Sequence, residues 1–123
     1  IESLLPPLAI RTNPVDMGPA WYDSGAIKGI VHAVLEDKKI DAVILCIMFA
    51  SANRASVGIL ADLLLQPRQK KPVICCISAP MGIWDKEIER LEASGIPNYP
   101  TPERAARALA NLTRFKNIRK RKM

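Results

Sequence analysis

The run Ile40–Phe49, with the sequence IDAVILCIMF, constrains the fold of this chain more than any other feature. It is compact and apolar with almost no polar interruption, which favours a central strand covered on both faces. A second apolar run, Val73–Ser78, follows Pro72 and predicts another strand. Helices alternating with such strands imply right-handed crossovers and a parallel sheet.

Amphipathic segments predict helices before and after the first strand. From Tyr22 to Asp37 apolar residues recur at helical spacing, and Asp23 or Ser24 is available to cap the start of this helix. In the segment after the first strand, Ser51 or Asn53 is available as a helix cap. The buried stripe of that second helix is expected to consist of Val57, Leu60, Ala61 and Leu64.

The alternation continues in the second half of the chain. We predict a helix from about Ile83 to Ala93, a short strand at Ile96–Tyr99 and a last helix that starts at the Thr101–Pro102 pair. A fourth strand is expected around Ala9–Val15. The fold class is therefore α/β, with a mainly parallel sheet between layers of helices. The inner face of the last helix is expected to consist of Ala105, Ala108, Leu109 and Leu112.

The positive charge is concentrated at the end of the chain. The formal net charge is +6, and residues 114–123 contain six Lys or Arg side chains and no acid, so the preceding part is formally neutral. A basic tail can bind nucleic acid through counterion release. Solvated basic ends are commoner, and we do not expect a nucleic-acid partner.

Length and composition predict one domain with a modest core, because the chain has 123 residues of which 49% are hydrophobic. No apolar run approaches the roughly 20 residues that a membrane-spanning helix needs. The first residues also lack the pattern of a signal peptide. We therefore expect a cytoplasmic protein without a membrane partner. Since the sequence begins with Ile1 instead of Met, we expect it to be part of a larger protein.

The three cysteines, Cys46, Cys75 and Cys76, all lie in the apolar strand-like runs. Their spacing is not that of metal ligands, and buried, reduced thiols are the expected state. A metal site would need more ligands, and the single histidine is His32. No metal site is therefore predicted.

A longer pattern identifies a family. The stretch LLPPLAIRTNPVDM is followed in order by a helix, IDAVILCIM, KKPVICCIS and SGIPNYPTPERAARALANL. Over residues 4 to about 115 this order resembles the flavodoxin-like domain of NDP-forming acyl-CoA synthetases, which are relatives of succinyl-CoA synthetase. The resemblance implies a three-layer flavodoxin-like (Rossmann-like) domain over residues 1–115 that lacks one or more upstream strands. Residues 116–123 would be a basic tail or linker.

The resemblance also implies an activity for the whole enzyme, the reversible conversion of acyl-CoA, NDP and phosphate to acid, CoA and NTP. Such enzymes use CoA, ATP or ADP and Mg²⁺, and they combine CoA-binding, phosphohistidine and ATP-grasp domains or subunits. We accordingly expect these domains as partners, and an oligomer. The catalytic histidine of the family lies in a different domain, and His32 does not match it. The chain is expected to be an accessory domain that helps to shape the phosphohistidine-receiving site and is inactive alone.

The loop after the first strand is the principal site candidate, because open α/β sheets place ligands at the carboxyl ends of their strands. It comprises Ser51, Ala52, Asn53 and Arg54, at the position where the resemblance implies a glycine-bearing turn that faces phosphate. This sequence has no glycine there. Its side chains and the helix N-terminal amides can still receive a phosphoryl group, with ordinary helix capping as the alternative role.

Two further candidates are less specific. Asn13, Pro14 and Asp16 form the family motif, and they either shape the following loop or lie at the active-site interface. Ser78 and Gly82 bound the loop after the second strand, where a glycine permits close approach of the backbone. The alternative for these two residues is an ordinary strand-to-helix connection.

Two other functions remain open at this point. The same module can serve regulation or assembly in a synthetase-like protein that has lost catalysis, for example one fused to an acetyltransferase. An unrelated flavodoxin-like or receiver-like binding domain is the second alternative. A flavodoxin would need a Ser/Thr-rich phosphate loop, and a receiver would need clustered acids with a phosphoacceptor Asp. The end of the Ile40–Phe49 run has neither.

Overall fold

The computed structural model describes residues 12–123, in which helices and strands alternate along the chain. The elements are α1 (Ser24–Glu36), β1 (Val43–Met48), α2 (Ser56–Leu64), β2 (Val73–Ser78), α3 (Asp85–Ala93) and α4 (Pro102–Lys122). Two short 3₁₀ helices, Gly18–Tyr22 and Ser51–Asn53, come before α1 and α2 respectively. The strand predicted at Ala9–Val15 lies mostly outside the described residues, and residues 12–14 form a bend.

β1 and β2 form a two-stranded parallel sheet. Their register runs from Val43 opposite Val73 to Met48 opposite Ser78. α2 lies between the two strands in the sequence, as parallel neighbours require a long connection. The parallel pairing predicted from the alternation of elements is confirmed.

The second edge of β2 is covered by the segment that was predicted to be a third strand. This segment makes only one parallel bridge, between Asn98 and Cys75, so the predicted strand Ile96–Tyr99 is wrong in its extent. Further pairing is replaced by the Asn98 side chain. Its amide oxygen accepts a hydrogen bond from the N–H of Ile77 at 2.7 Å, and its amide nitrogen donates to the C=O of Ile77 at 3.2 Å.

Only one face of β1 is well covered, which corrects the prediction of a strand buried on both faces. Leu45 and Ile47 are buried, whereas Cys46 is exposed and Met48 is 78% exposed. The five residues Val73–Ile77 of β2 are all buried. α4 contacts both strands but leaves the carboxyl-terminal half of this face of β1 open to solvent. The prediction that all three cysteines are buried is therefore wrong for Cys46.

The main core lies between one face of the sheet and the helices α1, α2 and α3. Ile27, Leu60 and Leu91, one from each helix, are at most 1% exposed and belong to a single apolar cluster with alternate residues of the strands. α4 packs on the other face with Ala105 buried. The predicted three-layer α/β arrangement is thus confirmed.

Local capping explains where two of the helices begin and how one of them ends. The Asp23 carboxylate accepts a hydrogen bond from the backbone N–H three residues later and starts α1, as predicted. Thr101 does the same for α4, with Pro102 at the first helical position. At the end of α1 the Lys71 ammonium group donates to the C=O of Asp37 at 2.7 Å. A cation at this end also complements the helix dipole.

α4 continues past the predicted boundary at residue 115 as far as Lys122. Residues 110–123 are all exposed, so the basic side chains lie on the surface of a helix that extends beyond the sheet. The division into a domain and a linker at this boundary stays a prediction. Within residues 12–123, no helix has the length and apolar character needed to cross a membrane.

Candidate functional site

The two strands end side by side. Met48 lies opposite Ser78, and the N–H of the next residue, Phe49, donates a hydrogen bond to the C=O of Ser78 at 2.8 Å. The predicted loops Ser51–Arg54 and Ser78–Gly82 therefore start at the same edge of the sheet. This is the edge where open α/β sheets bind their ligands.

Asn53 fixes the turn that follows β1. It is 6% exposed, and its side-chain oxygen accepts from the N–H of Ala50 while its side-chain nitrogen donates to the C=O of Met48, both at 2.9 Å. The backbone C=O of Asn53 accepts from the Ser56 hydroxyl at 2.6 Å. Both polar atoms of the Asn53 side chain make hydrogen bonds inside the turn, so this residue positions the loop.

The prediction that Ser51 or Asn53 caps α2 is wrong. A 3₁₀ turn at Ser51–Asn53 separates these residues from α2, whose N-cap position is occupied by Ala55 without a side-chain hydrogen bond. The reason lies in the reach of Asn53. The Asn53 side chain can hydrogen-bond to the C=O of Met48 because residues 51–53 form a tight 3₁₀ turn. This turn ends before α2 begins, so the Asn53 side chain is not available to cap α2.

The other loop residues, Ser51, Ala52 and Arg54, are exposed at the surface of this turn. Within the part of the chain that the structure describes, the backbone N–H groups of Ser51 and Ala52 donate no hydrogen bond. The Arg54 guanidinium makes no ion pair there either. Two backbone donors and one cationic side chain are therefore available to an anion at this loop.

Trp84 links the two loops, and sequence reasoning did not single it out as a site residue. Its indole N–H donates to the C=O of Arg54 at 2.7 Å. Its ring meets that of Phe49 edge-on, with ring centroids 5.4 Å apart and an interplanar angle of 76°. The Trp84 backbone is left-handed, at a φ of 66°, which is uncommon for a bulky residue. A buried Trp needs a partner for its N–H, but only the folded chain identifies that partner.

An open pocket of about 140 Å³ lies beside the Ser51–Arg54 loop. Ala52 lines it from the loop, Tyr22 from the first 3₁₀ helix and Ser56 from the start of α2. The volume is below the roughly 300 Å³ of the smallest typical ligand sites, so it suits one small group better than a nucleotide. The Gly18–Tyr22 turn was missed in the sequence because short 3₁₀ helices carry no usable hydrophobic period.

The family motif lies in an exposed turn before this pocket. Asn13, Pro14 and Asp16 are all exposed. The Asp16 carboxylate accepts a hydrogen bond from the N–H of Gly18 at 2.9 Å, as expected for a residue that shapes the following loop. Within residues 12–123, no hydrogen bond connects this motif with the Ser51–Arg54 loop. Its direct role in a site stays a prediction.

In the second loop the backbone of Gly82 is already engaged. Gly82 has a φ of 84°, which requires a glycine, and its N–H donates to the Asp85 carboxylate at 2.9 Å. The Ser78 C=O is used by Phe49, although the Ser78 side chain is exposed. The Ser78–Gly82 loop therefore has its glycine N–H engaged and, unlike the first loop, contains no cationic side chain.

Neither a histidine site nor a conventional metal cluster accompanies these loops. His32 is exposed on α1. Residues 12–123 contain no group of three or more His, Cys, Asp or Glu side chains that could hold a metal ion. The groups that the first loop presents are backbone N–H donors and one guanidinium group.

The fold, with parallel strands, helices on both faces and the best candidate loop at the carboxyl edge, defines the class as flavodoxin-like α/β. It matches the crystal structure of PH0766 from Pyrococcus horikoshii with a TM-score of 0.64 and 30% identity, over 85% of this chain and 25% of that one. No protein-family model matches the sequence.

Three characterised archaeal proteins are similar in sequence. The chain is 32% identical to the alpha subunit of ADP-forming acetate–CoA ligase I of Pyrococcus furiosus over 90% of its length, and 31% identical to the alpha subunit of ligase II of the same organism over 96%. It is 29% identical to ADP-forming acetate–CoA ligase II of Archaeoglobus fulgidus over 84%. It spans 24%, 26% and 16% of these proteins respectively. The chain thus belongs to the NDP-forming acyl-CoA synthetase family, as one succinyl-CoA synthetase-like domain.

Proposed function

We propose that this chain is an accessory domain of an NDP-forming acyl-CoA synthetase, and that its Ser51–Arg54 loop helps to form the site that receives a phosphohistidine from another domain. The whole enzyme would convert acyl-CoA, NDP and phosphate to acid, CoA and NTP. The similarity to segments of ADP-forming acetate–CoA ligases supports the family. The catalytic histidine, CoA and the nucleotide are assigned to the partner domains or subunits.

The observation that carries this proposal is the turn fixed by Asn53 at the carboxyl edge of the sheet. The turn holds the N–H groups of Ser51 and Ala52 without partners among the described residues, next to the exposed Arg54 side chain. Fixed backbone donors and a guanidinium group are the ligands that a phosphoryl group prefers. They need no reorganisation when the anion arrives, so they can stabilise charge on a phosphoryl group during transfer.

The donor set of this loop also bears on Mg²⁺. Magnesium is bound by carboxylates, waters and phosphate oxygens. The Ser51–Arg54 segment contains no carboxylate. The loop therefore fits the phosphoryl group and does not fit the metal ion, which we assign to the nucleotide-binding partner.

The accessory role is tested first with the chain alone. With acetate, CoA and ATP, the isolated 123-residue chain is expected to form no acyl-CoA, because it contributes donors but no phosphate-carrying histidine. The measurement is acyl-CoA formation followed by chromatography. Turnover by the isolated chain would overturn the assignment.

The loop is tested in the assembled enzyme. Incubation with ATP labelled in the γ-phosphate is expected to give acid-labile, base-stable phosphate on histidine. Arg54→Gln is expected to slow phosphoryl transfer roughly 10- to 100-fold, since a hydrogen bond to a charged group contributes about 1.5–3 kcal/mol. The matched control is Arg68→Gln, which changes another exposed arginine, in the connection between α2 and the start of β2. Equal rates for both variants, or no labelling although the histidine is present, would contradict the proposal.

A further inference from the structure

The face of the sheet opposite the main core carries three sulfur-containing side chains close together. Cys46 of β1 and Cys76 of β2 are directly opposite each other in the parallel register. Met48 is two residues after Cys46, so its side chain leaves the same face of β1. The proposed phosphate-facing loop uses only the backbone C=O of Met48, so its function does not involve these three side chains.

The three positions differ in their access to solvent. Cys46 is exposed and Met48 is 78% exposed, whereas Cys76 is only 6% exposed beneath α4. The third cysteine, Cys75, points to the opposite face, where it is 1% exposed within the main core. A solute can therefore reach the Cys46–Cys76 pair from the Met48 side, while Cys75 is shielded from it.

The register brings the two cysteine side chains close enough to bind one ligand together. Neighbouring strands lie about 4.8 Å apart, and the side chains of a parallel in-register pair run alongside each other. This spacing also lies within the roughly 4.4–6.8 Å range of Cα–Cα distances in disulfides, so a disulfide is the competing state of the pair. Two thiolates on one metal ion, with metal–sulfur bonds of about 2.3 Å, are separated by roughly 4–4.6 Å. Side chains on strands about 4.8 Å apart can bring their sulfurs to this separation by rotation about χ1, without movement of the strands.

The surroundings of Cys76 favour the protonated form of its thiol. Burial raises the pKa of the Cys76 thiol. The neighbouring Cys46 contributes next to this shift, and Glu103 contributes least. Glu103, in the first turn of α4, is exposed and does not complete a conventional cluster of metal ligands with the cysteines. The open face thus offers two thiols and a thioether, and among residues 12–123 no group of three or more His, Cys, Asp or Glu side chains is placed to hold a metal there.

We propose that Cys46, Cys76 and Met48 form a binding site for Cu(I). Thiolate and thioether ligands are soft and select Cu(I), whereas Zn²⁺ prefers four ligands that include nitrogen, thiolate or carboxylate. The Met48 side chain has three rotatable bonds and enough freedom at the surface to bring its sulfur over the pair. Binding releases one proton from each thiol, so one Cu(I) and two thiols give a complex of net charge −1 and two free protons.

The test is a titration of the reduced, intact protein with Cu(I) under anaerobic conditions, in competition with bicinchoninic acid. We expect one Cu(I) per chain, sulfur-to-copper absorption in the near ultraviolet, and an affinity that rises with pH because protons are released. Mutation of residues that only support metal ligands typically weakens metal binding roughly 10- to 100-fold. Loss of a thiolate ligand should exceed this, so Cys46→Ser is expected to weaken Cu(I) binding roughly 100-fold or more. Loss of the weaker thioether ligand in Met48→Leu is expected to weaken it roughly tenfold. Both residues are exposed, so folding of both variants can be confirmed by circular dichroism.

Cys75→Ser is the matched control, because it removes the adjacent thiol on the other face of the sheet. It is expected to leave the Cu(I) affinity and stoichiometry unchanged. The proposal is overturned if Cys46→Ser binds as tightly as the unaltered protein, if Met48→Leu has no effect, or if Zn²⁺ competes equally well. Formation of a Cys46–Cys76 disulfide in place of the copper complex would also overturn it. None of these outcomes affects the labelling test of the phosphate-facing loop.

Discussion

Two asparagine side chains hydrogen-bond to backbone groups at the borders of the two-stranded sheet, where no further strand within residues 12–123 pairs with these groups. Asn53 bonds to the backbone of Ala50 and Met48 at the carboxyl end of β1. Asn98 bonds to both polar groups of Ile77 along the outer edge of β2. Buried polar groups are costly without partners, so both amides stabilise positions that a wider sheet would satisfy by strand pairing.

Replacement of Asn53 by alanine is expected to lower the free energy of unfolding by about 1–3 kcal/mol, because two backbone groups in a part-buried turn lose their partners. The measurement is urea-induced unfolding. Ser51→Ala, two residues away and exposed, is the control and should stay within about 0.5 kcal/mol of the unaltered protein. Equal stability of both variants would show that the Asn53 side chain does not hold the turn.

The Cys75 thiol makes stability depend on pH in the alkaline range. Burial, together with the neighbouring Cys46 and Cys76, raises its pKa from 9.0 to about 12. Between these values the unfolded chain binds fewer protons than the folded chain at this position. The unfolding free energy is therefore expected to fall as pH rises, by at most about 1.4 kcal/mol per pH unit.

This pH dependence is checked by urea unfolding at pH 8 and pH 10. Cys75→Ala is expected to lose about 1 kcal/mol less than the unaltered protein over this interval, because the titrating thiol is gone. Val57→Ala serves as the control, since it also leaves a cavity at a fully buried position but removes no titrating group. If Cys75→Ala kept the full pH dependence, the thiol would not be its source.

At the scale of elements, α4 is divided into two parts with different surroundings. Its first half packs on the sheet through Ala105, which is fully buried. Its second half carries Leu112, Phe115 and Ile118 at least half exposed, together with six basic side chains. The Arg119 guanidinium lies 5.9 Å from the centre of the Phe115 ring. An unsupported helical end of this kind contributes little to stability, because helices gain most of theirs from packing.

Deletion of residues 114–123 is expected to change the unfolding free energy by no more than about 0.5 kcal/mol, since every deleted residue is exposed. Far-ultraviolet circular dichroism should show a loss of helix, because α4 extends to Lys122. Ala105→Leu is the comparison, and overpacking at this buried position should cost about 1–3 kcal/mol. A large loss of stability on deletion would mean that the basic end packs against the body.

At the scale of the whole molecule, the two faces of the sheet are unequal. One face is covered by α1, α2 and α3 and contains the main apolar cluster. The other is covered in part by α4, and Cys46 and Met48 remain open to solvent. Global stability should therefore depend mainly on the face that contains the apolar cluster.

Two leucine-to-alanine substitutions compare these faces. Leu60→Ala, in the main core at 1% exposure, is expected to cost about 2–5 kcal/mol. That is a large part of the 5–15 kcal/mol typical of a small domain. Leu112→Ala, on α4 at 50% exposure, should stay within about 0.5 kcal/mol. The two are compared by thermal and urea unfolding, and similar losses would contradict the division into a core face and an open face.

Hydrophobic periodicity predicted most of the fold. The strand Val73–Ser78 is observed with its predicted ends, and the helix around Tyr22–Asp37 differs by one or two residues at each end. The Ile96–Tyr99 strand was overpredicted, because an apolar run does not reveal that a single Asn98 side chain will complete the edge. The position of the candidate loop was predictable from the order of elements. The hydrogen bond from the Asn53 side chain to the C=O of Met48 and the one from the Trp84 indole to the C=O of Arg54 were not.

The sequence by itself determined the order of helices and strands, the family and the loop that follows each strand, because periodicity and motif order are properties of neighbouring residues. The tertiary structure decided which groups remain available at that loop and which face of β1 stays open. It also brought Cys46 opposite Cys76, thirty positions apart in the sequence. Burial, register and hydrogen-bond partners depend on residues distant in the chain, and those meet only when the sheet and its helices pack.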